Sequence, residues 1–439
     1  GTGYFVGRLP FVWLVSAVGN SNVGQTQYFY NAAASATGVQ PSFHANVNDI
    51  LKDLYPNGFN PQDLTAPLSP TIIDKDLKMP ATWKTSLAFD AKLPGDVDFT
   101  LEGIYNRDFG PAVISNANVY ADGTKTLSAN DTRTKYSKYN ANNNAFLIEN
   151  GGNKAYYYSI TTQLHKAFDF GLDLSFAYTH SKSRSYGDGI GDQVTSAYYT
   201  NLFAVNGVND HTLGYGTYVA SNRILASVGY SIAYAKNMKS SFSFIYEGMP
   251  MGYVGNFSYS RYSYSYNTNV VGDGGANNLM WIPSNKDELT FRNVTDKSGK
   301  VTYSAADQKN DFWNYVMQDK YLKNHLGQYA ERGGAEMPWH HQIDFKFNQD
   351  FYLSVGGKKN TLQLGVDIQN LGNLLNSKWG LYKQMNSGAA NSVAPLAYNG
   401  DGTYTMLKVN NEVLKNTYTD YNSTASTYRV MFSVRYIFN

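Results

Sequence analysis

The sequence has 439 residues, with 36 basic and 34 acidic side chains, a formal charge of +2 and no cysteine. Disulfide scaffolds, thiolate zinc sites and cysteine nucleophiles are thereby excluded, and so near a charge balance speaks against a nucleic-acid surface, which needs a basic stripe to neutralise phosphates. Aromatic residues make up 15% of the chain against 16% charged, alongside 39 glycines; that much aromatic surface fits a folded chain and, with so little Lys and Glu, antiparallel β-structure over helices.

The first long apolar run, residues 9–18, is far shorter than the roughly 18–20 residues of a spanning helix. Arg8 before it and small residues after it resemble a signal peptide, but Pro10 and Trp13 interrupt the run, so it reads as strand or loop. The mean hydropathy of −0.41 suits a water-soluble protein. One membrane class shares that value, the β-barrel, whose strands alternate apolar and polar residues.

From residue 81 onward, alternation with period two dominates. It runs through 87–93 and 99–105, then 156–164, and then Leu172, Leu174, Phe176 and Tyr178 against Asp173, Ser175 and Thr179. The even positions of 224–234 are apolar; Phe242, Phe244 and Tyr246 oppose Ser241, Ser243 and Glu247, and Ile343, Phe345 and Phe347 oppose Asp344, Lys346 and Asn348. Leu362, Leu364, Val366 and Ile368 follow, and finally Tyr428, Val430, Phe432, Val434, Tyr436 and Phe438 against Arg429, Ser433 and Arg435. Side chains two apart share a strand face, so about nine strands are predicted, each near the 9–11 residues that cross a bilayer on a tilt. Short joins at 94–96, 168–171, 236–238 and about 354–359 alternate with long polar stretches at 111–153, 186–221, 249–338 and 373–425. Short turns on one rim and long loops on the other mark an outer-membrane barrel, whereas a soluble sandwich has strands of about five or six residues and no such rhythm. Within one long loop, Ser304 and Asp307 form a capping-box-like pair ahead of Phe312, Tyr315, Val316, Leu322 and Leu326, which predicts the one convincing helix.

The predicted fold is all-β: a transmembrane antiparallel β-barrel, incomplete, with long extracellular loops and one short loop helix. Residues 1–80 read as an extracellular loop region that supplies, near 4–15, the end of an earlier strand; residues 81–439 carry the barrel strands and loops. Because an open edge in lipid leaves backbone N–H and C=O groups unpaired, closed barrels have even strand numbers, and a count near nine implies further strands elsewhere.

Candidate chemistry is sparse. His340 and His341, with Glu336 and Asp344 nearby, suggest a metal site, but adjacent strand residues face opposite ways, so both imidazoles cannot ligate one ion from a regular strand. The glycine–aspartate runs 187–192 and 272–275 lack the oxygen ligands and terminal Glu of calcium loops and read as turns. Asp210 and His211 form the one acid–His neighbour in a long loop; outer-rim Asp and His residues activate water in barrel proteases of the omptin kind, so a rim-hydrolase reading is carried, although no second carboxylate pair stands out. Tyr253, Tyr259, Tyr262, Tyr264 and Tyr266 read as interface girdle or extended strand ends, with stacking on a peptide or sugar as the alternative. No catalytic, cofactor or metal residue is expected, and ligand-binding residues are left unnamed.

Several stretches carry a family resemblance: GTGYFVGRLPFVW at 1–13, KMPATW at 78–83, GDGGANNLMWIP at 272–283, GQYAER at 327–332, MPWHHQID at 337–344, LQLGVDIQNLGNLLN at 362–376 followed by WG at 379–380, and RYIF at 435–438. Their order resembles the C-terminal barrel half of Oar-like TonB-dependent outer-membrane transporters. The resemblance implies a 22-stranded barrel, of which this chain would supply about 9–10 strands, closed by an N-terminal plug. It also implies a preceding carboxypeptidase-regulatory-like domain, a location integral to a Gram-negative outer membrane, and import of a large ligand such as a peptide or glycan, driven through TonB. The implied partners are outer-membrane lipid, the remaining N-terminal barrel and plug, the TonB complex acting through that part, and a surface lipoprotein of the kind that caps the related SusC-like transporters; no enzymatic activity, cofactor or nucleic-acid partner is implied. An adhesion or scaffold barrel that binds through its loops is the alternative.

Overall fold

The computed structural model describes residues 1–19, 42–58, 70–125, 130–141, 143–187, 193–200, 203–254, 257–275, 277–386 and 392–438. With 50% of residues in strands and 12% in helices, the class is all-β. One large antiparallel sheet organises it: β1 (Thr2–Val6), β2 (Ala81–Leu93), β3 (Val97–Phe109), β4 (Tyr156–Ala167), β5 (Leu172–Ser185), β6 (Asn222–Tyr234), β7 (Met238–Pro250), β8 (Trp339–Val355), β9 (Lys358–Gln369) and β10 (Arg429–Ile437). Each strand pairs with the next in that order, and a two-residue strand, Gly214–Tyr215, pairs with the end of β5. Among the described residues the terminal strands β1 and β10 do not pair with each other, so the sheet is not closed.

The register turns alternation along each strand into rows across the sheet. One row runs Ala91, Phe99, Leu164, Phe176, Ala226, Tyr246 and Ile343. A second runs Leu174, Val228, Phe244, Phe345, Ile368 and Val430, and a third Tyr230, Phe242, Phe347, Val366 and Phe432. The opposite face carries Thr100, Gln163, Ser175, Ser227, Ser243, Lys346 and Asp367, with Leu225, Ile245 and Met431 as apolar exceptions. Among the described residues no second layer covers the apolar rows: Leu87 is 77% exposed, Phe432 78% and Phe244 42%. Aromatic residues gather toward both rims, with Trp83, Tyr105, Trp339 and Tyr428 near the long-loop ends and Phe170, Tyr234, Tyr436 and Phe438 near the short turns, all substantially exposed.

The four predicted short joins are tight turns. The tightest is the two-residue Gly356-Gly357 loop between Val355 and Lys358, with φ of 60° and 78°; two successive left-handed residues make the hairpin turn whose twist matches the strands, and glycine adopts them without Cβ strain.

Residues 11–19 depart from expectation: Phe11–Gly19 is a helix, and only Thr2–Val6 of the region near 4–15 is strand. Pro10, just before the helix, needs no N–H donor there, and Leu9 and Trp13, four apart, are buried beside Ile114, Phe146, Ile148 and Tyr198. A short apolar run is ambiguous between strand and helix, and this tertiary contact decides it. Three more helices, Val47–Leu54, Val194–Thr200 and Leu371–Leu375, also escaped the periodicity. The predicted loop helix is present as Ala305–Gln318, followed by a turn at Lys320–Lys323. Ser304 Oγ accepts from the Asp307 N–H at 3.0 Å and donates to the Asp307 carboxylate at 2.6 Å, and Asp319 caps the following turn by accepting from the N–H groups of Tyr321 and Leu322 at 2.8 and 3.0 Å.

Candidate functional site

The long connections condense above one rim of the sheet into a body with its own core. Its centre is the strand Arg261–Tyr266, held parallel to Ser392–Tyr398 and antiparallel to Ala335–Glu336. Tyr262, Tyr264 and Tyr266 are buried, and Ser263 and Ser265 between them are buried as well. Both faces of this strand are therefore interior, as in the central strand of a covered sheet. Tyr264 stacks on Tyr321 at 5.9 Å, Tyr266 on Tyr404 at 5.8 Å, and the Tyr262 and Tyr418 hydroxyls lie 2.6 Å apart. These three tyrosines are thus not an exposed girdle but packing for the helix Ala305–Gln318, whose Phe312, Tyr315 and Val316 join the same cluster. Tyr259 is also buried, whereas Tyr253 is half-buried and stacks on Tyr421 at 4.3 Å. Alternation fits a strand at this position; burial on its second face depends on segments distant in sequence and was not legible locally.

A buried ion pair pins this body together. Arg133 Nε donates to Asp131 at 2.8 Å, with both side chains out of solvent. Its Nη1 donates to the carbonyls of Leu279 and Val205 at 2.7 and 3.2 Å, and the guanidinium lies 4.9 Å from the Tyr329 ring and 5.5 Å from the Tyr266 ring. Backbone carbonyls and aromatic faces replace the hydration that the cation gives up.

The sequence-marked residues fall at separate places. His340 and His341 point to opposite faces of β8: His340 is buried and stacks on Tyr382 at 3.5 Å, while Nδ1 of His341 lies 2.7 Å from the Tyr246 hydroxyl. Among the described residues no group of three or more His, Asp or Glu side chains is placed to hold a metal ion. In the 272–275 turn, Asp273 is buried and accepts from the Val208 N–H at 2.8 Å, Asn269 Nδ2 at 3.2 Å and the Gly275 N–H at 3.3 Å. Burial raises its pKa above the ordinary carboxylate value despite those donors. Its carboxylate thus staples two loops. Of the 187–192 run only Gly187 lies within the described residues.

His211 meets partners the sequence did not place beside it. Its Nε2 is 2.9 Å from Ser115 Oγ and 3.7 Å from Glu149, and the Ser115 hydroxyl donates to Glu149. A serine, a histidine and a carboxylate together invite a catalytic reading, but hydrolytic triads place the carboxylate on the imidazole nitrogen remote from the serine. Here both partners crowd one nitrogen, and the carboxylate takes the serine proton's hydrogen bond. Burial holds the His211 pKa below its ordinary value, with Glu149 and Asp210 opposing that shift. The arrangement ties the paired strands Ala112–Asn116 and Phe146–Asn150 to the 203–221 loop.

On the polar face of the sheet, below this body, lies a hollow of about 580 Å³ lined by Ser243, Asp344, Lys346, Asp367, Gln369 and Arg429. Lys346 pairs with Asp367 at 3.1 Å, and Asp344 accepts from Gln342 Nε2 at 2.9 Å and the Asn370 N–H at 2.8 Å. These residues were missed as a site because each is merely the polar phase of its own strand; four strands in register, β7 to β10, assemble them. Comparison of the chain with protein-family models, with curated proteins and with solved structures finds no match.

Proposed function

We propose that this chain is the C-terminal barrel wall of an Oar-like TonB-dependent outer-membrane transporter that imports a large ligand, such as a peptide or glycan. One observation carries the membrane reading: the apolar rows of β2 to β10 form a continuous belt that no described segment covers, while the opposite face is mostly polar. In water such a belt is an aggregation liability; in a bilayer it is the lipid-facing surface of a barrel. Exposed aromatic residues toward both rims support the same placement. The polar face then lines the lumen, and its hollow faces the plug or the passing ligand. Backbone groups on the free edges of β1 and β10 would be unsatisfied in hydrocarbon, so barrel strands from the N-terminal part of the protein pair there. TonB acts through that part, and the loop body forms the outer mouth.

The test is uptake by cells carrying the full-length protein, using panels of labelled peptides and glycans. Uptake that is lost on deleting the gene, and lost equally on inactivating TonB, is the expected result. Unchanged uptake with lost surface adhesion would favour a scaffold barrel, a reading to which the separately packed loop body also lends itself.

A further inference from the structure

At the upper end of the apolar face, Trp339 opens β8 on the same side as His341, Ile343 and Phe345, stacks on His341 at 5.8 Å and is 40% exposed. A cleft of about 680 Å³ begins at this indole and runs between the Asp319–Asn324 turn and the segment bearing Glu336 and Pro338, with Tyr262, Tyr321 and Tyr418 along it. Because Trp339 sits on the apolar side, the cleft opens outside the wall, at the height where the lipid-facing surface meets water, and not into the lumen.

Its surroundings are cationic. The outward side chains of β5 continue past Tyr178 as His180, Lys182 and Arg184, and Tyr215 is paired opposite Arg184. The guanidinium groups of Arg184 and Arg261 lie 4.3 and 4.4 Å from the Tyr215 ring centroid, and the Lys182 ammonium lies 5.6 Å from it. The nearby carboxylates are engaged: Glu331 with Arg184 at 2.5 Å, Glu336 with Arg261 at 2.6 Å, and Asp319 with two backbone N–H groups and the Thr417 hydroxyl. Lys182, the cleft-lining Lys320 and, one turn on, Lys323 make no ion pair among the described residues, and both of the latter are exposed.

We propose that this cleft binds the phosphate-bearing headgroup of an outer-leaflet lipid. The inference rests on the membrane-barrel reading, since that reading sets the height of the cleft. Trp339 packs at the boundary between headgroup and acyl chains, where amphipathic rings settle, and Lys320 and Lys323 neutralise the phosphate, as basic pockets at membrane surfaces do. An aqueous solute in transit would have no access to this side of the wall.

The test uses the full-length protein, extracted from membranes in detergent and followed by native mass spectrometry with added diphosphorylated lipid A, its dephosphorylated form, or inorganic phosphate. The diphosphorylated lipid is expected to bind, and the double variant Lys320→Glu/Lys323→Glu to weaken it by about tenfold or more, two surface cations being reversed. Both positions are exposed, so recovery in the membrane fraction should be unchanged. Trp339→Ala should weaken binding of the same lipid without changing charge. Equal binding of the dephosphorylated lipid, binding unaffected by the lysine reversals, or displacement by inorganic phosphate at the lipid's own concentration would each overturn the proposal. Failure of the protein to partition into membranes would instead sink the barrel reading beneath it.

Discussion

Gly272 and His211 each join loops far apart in sequence. Gly272 has φ of 89°, and a Cβ there would sit 2.4 Å from the Tyr136 carbonyl oxygen, next to the bond that the Tyr136 N–H makes to Val271 O at 2.6 Å. A left-handed conformation costs an L-residue about 1–2 kcal/mol even without a clash, so Gly272→Ala should destabilise the loop body by at least about that much, read as faster amide exchange across Thr134–Lys138. At His211 the sign follows from linkage: burial places the folded pKa below the ordinary 6.5, so the unfolded loop binds protons more readily. Its contribution is intact above about pH 6.5 and is lost as pH falls through the lower, folded value. Amide protection factors in Ala112–Asn116 and Phe146–Asn150, with the pH dependence of chemical exchange divided out, should therefore fall between pH 7 and pH 5, and His211→Gln should flatten that dependence. The sequence showed Asp210 beside His211 but could not show Ser115 and Glu149, which arrive from another loop.

Among the elements, the Ala305–Gln318 helix is the one whose sequence signals were complete, with a cap, an acidic first turn and spaced apolar residues. Removing the cap by Ser304→Ala should cost about 1 kcal/mol, seen as loss of amide protection at Asp307 and Gln308, and Ser304→Asp should restore most of it. The Phe11–Gly19 helix shows the converse. Its apolar run has no period to decide between strand and helix, and its identity follows from the pocket that receives Leu9 and Trp13. The tyrosine strand Arg261–Tyr266 lies between these cases: its conformation was legible from alternation, its environment was not, because the layers that bury both faces come from residues 305–322 and 392–406.

For the molecule as a whole, the two faces of the sheet should respond oppositely to charge. Val228 lies in an exposed apolar row, and its neighbour Ser227 faces the polar side between Ser175 and Ile245. If the apolar face meets lipid, Val228→Arg should cost about 2–4 kcal/mol near the bilayer centre, whereas Ser227→Arg should be nearly neutral. Recovery of folded, full-length protein from the outer-membrane fraction measures the contrast; equal tolerance of both substitutions would contradict the lipid-facing assignment.

The sequence by itself determined the nine long strands of the main sheet from residue 81 onward, the side of each that is apolar, and the alternation of short and long connections. Those are consequences of a period-two side-chain geometry that every strand obeys wherever it sits. Tertiary structure alone decided that the long connections pack into a body with a tyrosine core, that Arg133 is buried among aromatic rings, and that polar residues of β7 to β10 line one hollow. Burial and proximity depend on which distant segments meet, and a local pattern records only the face a residue turns, not what comes to cover it.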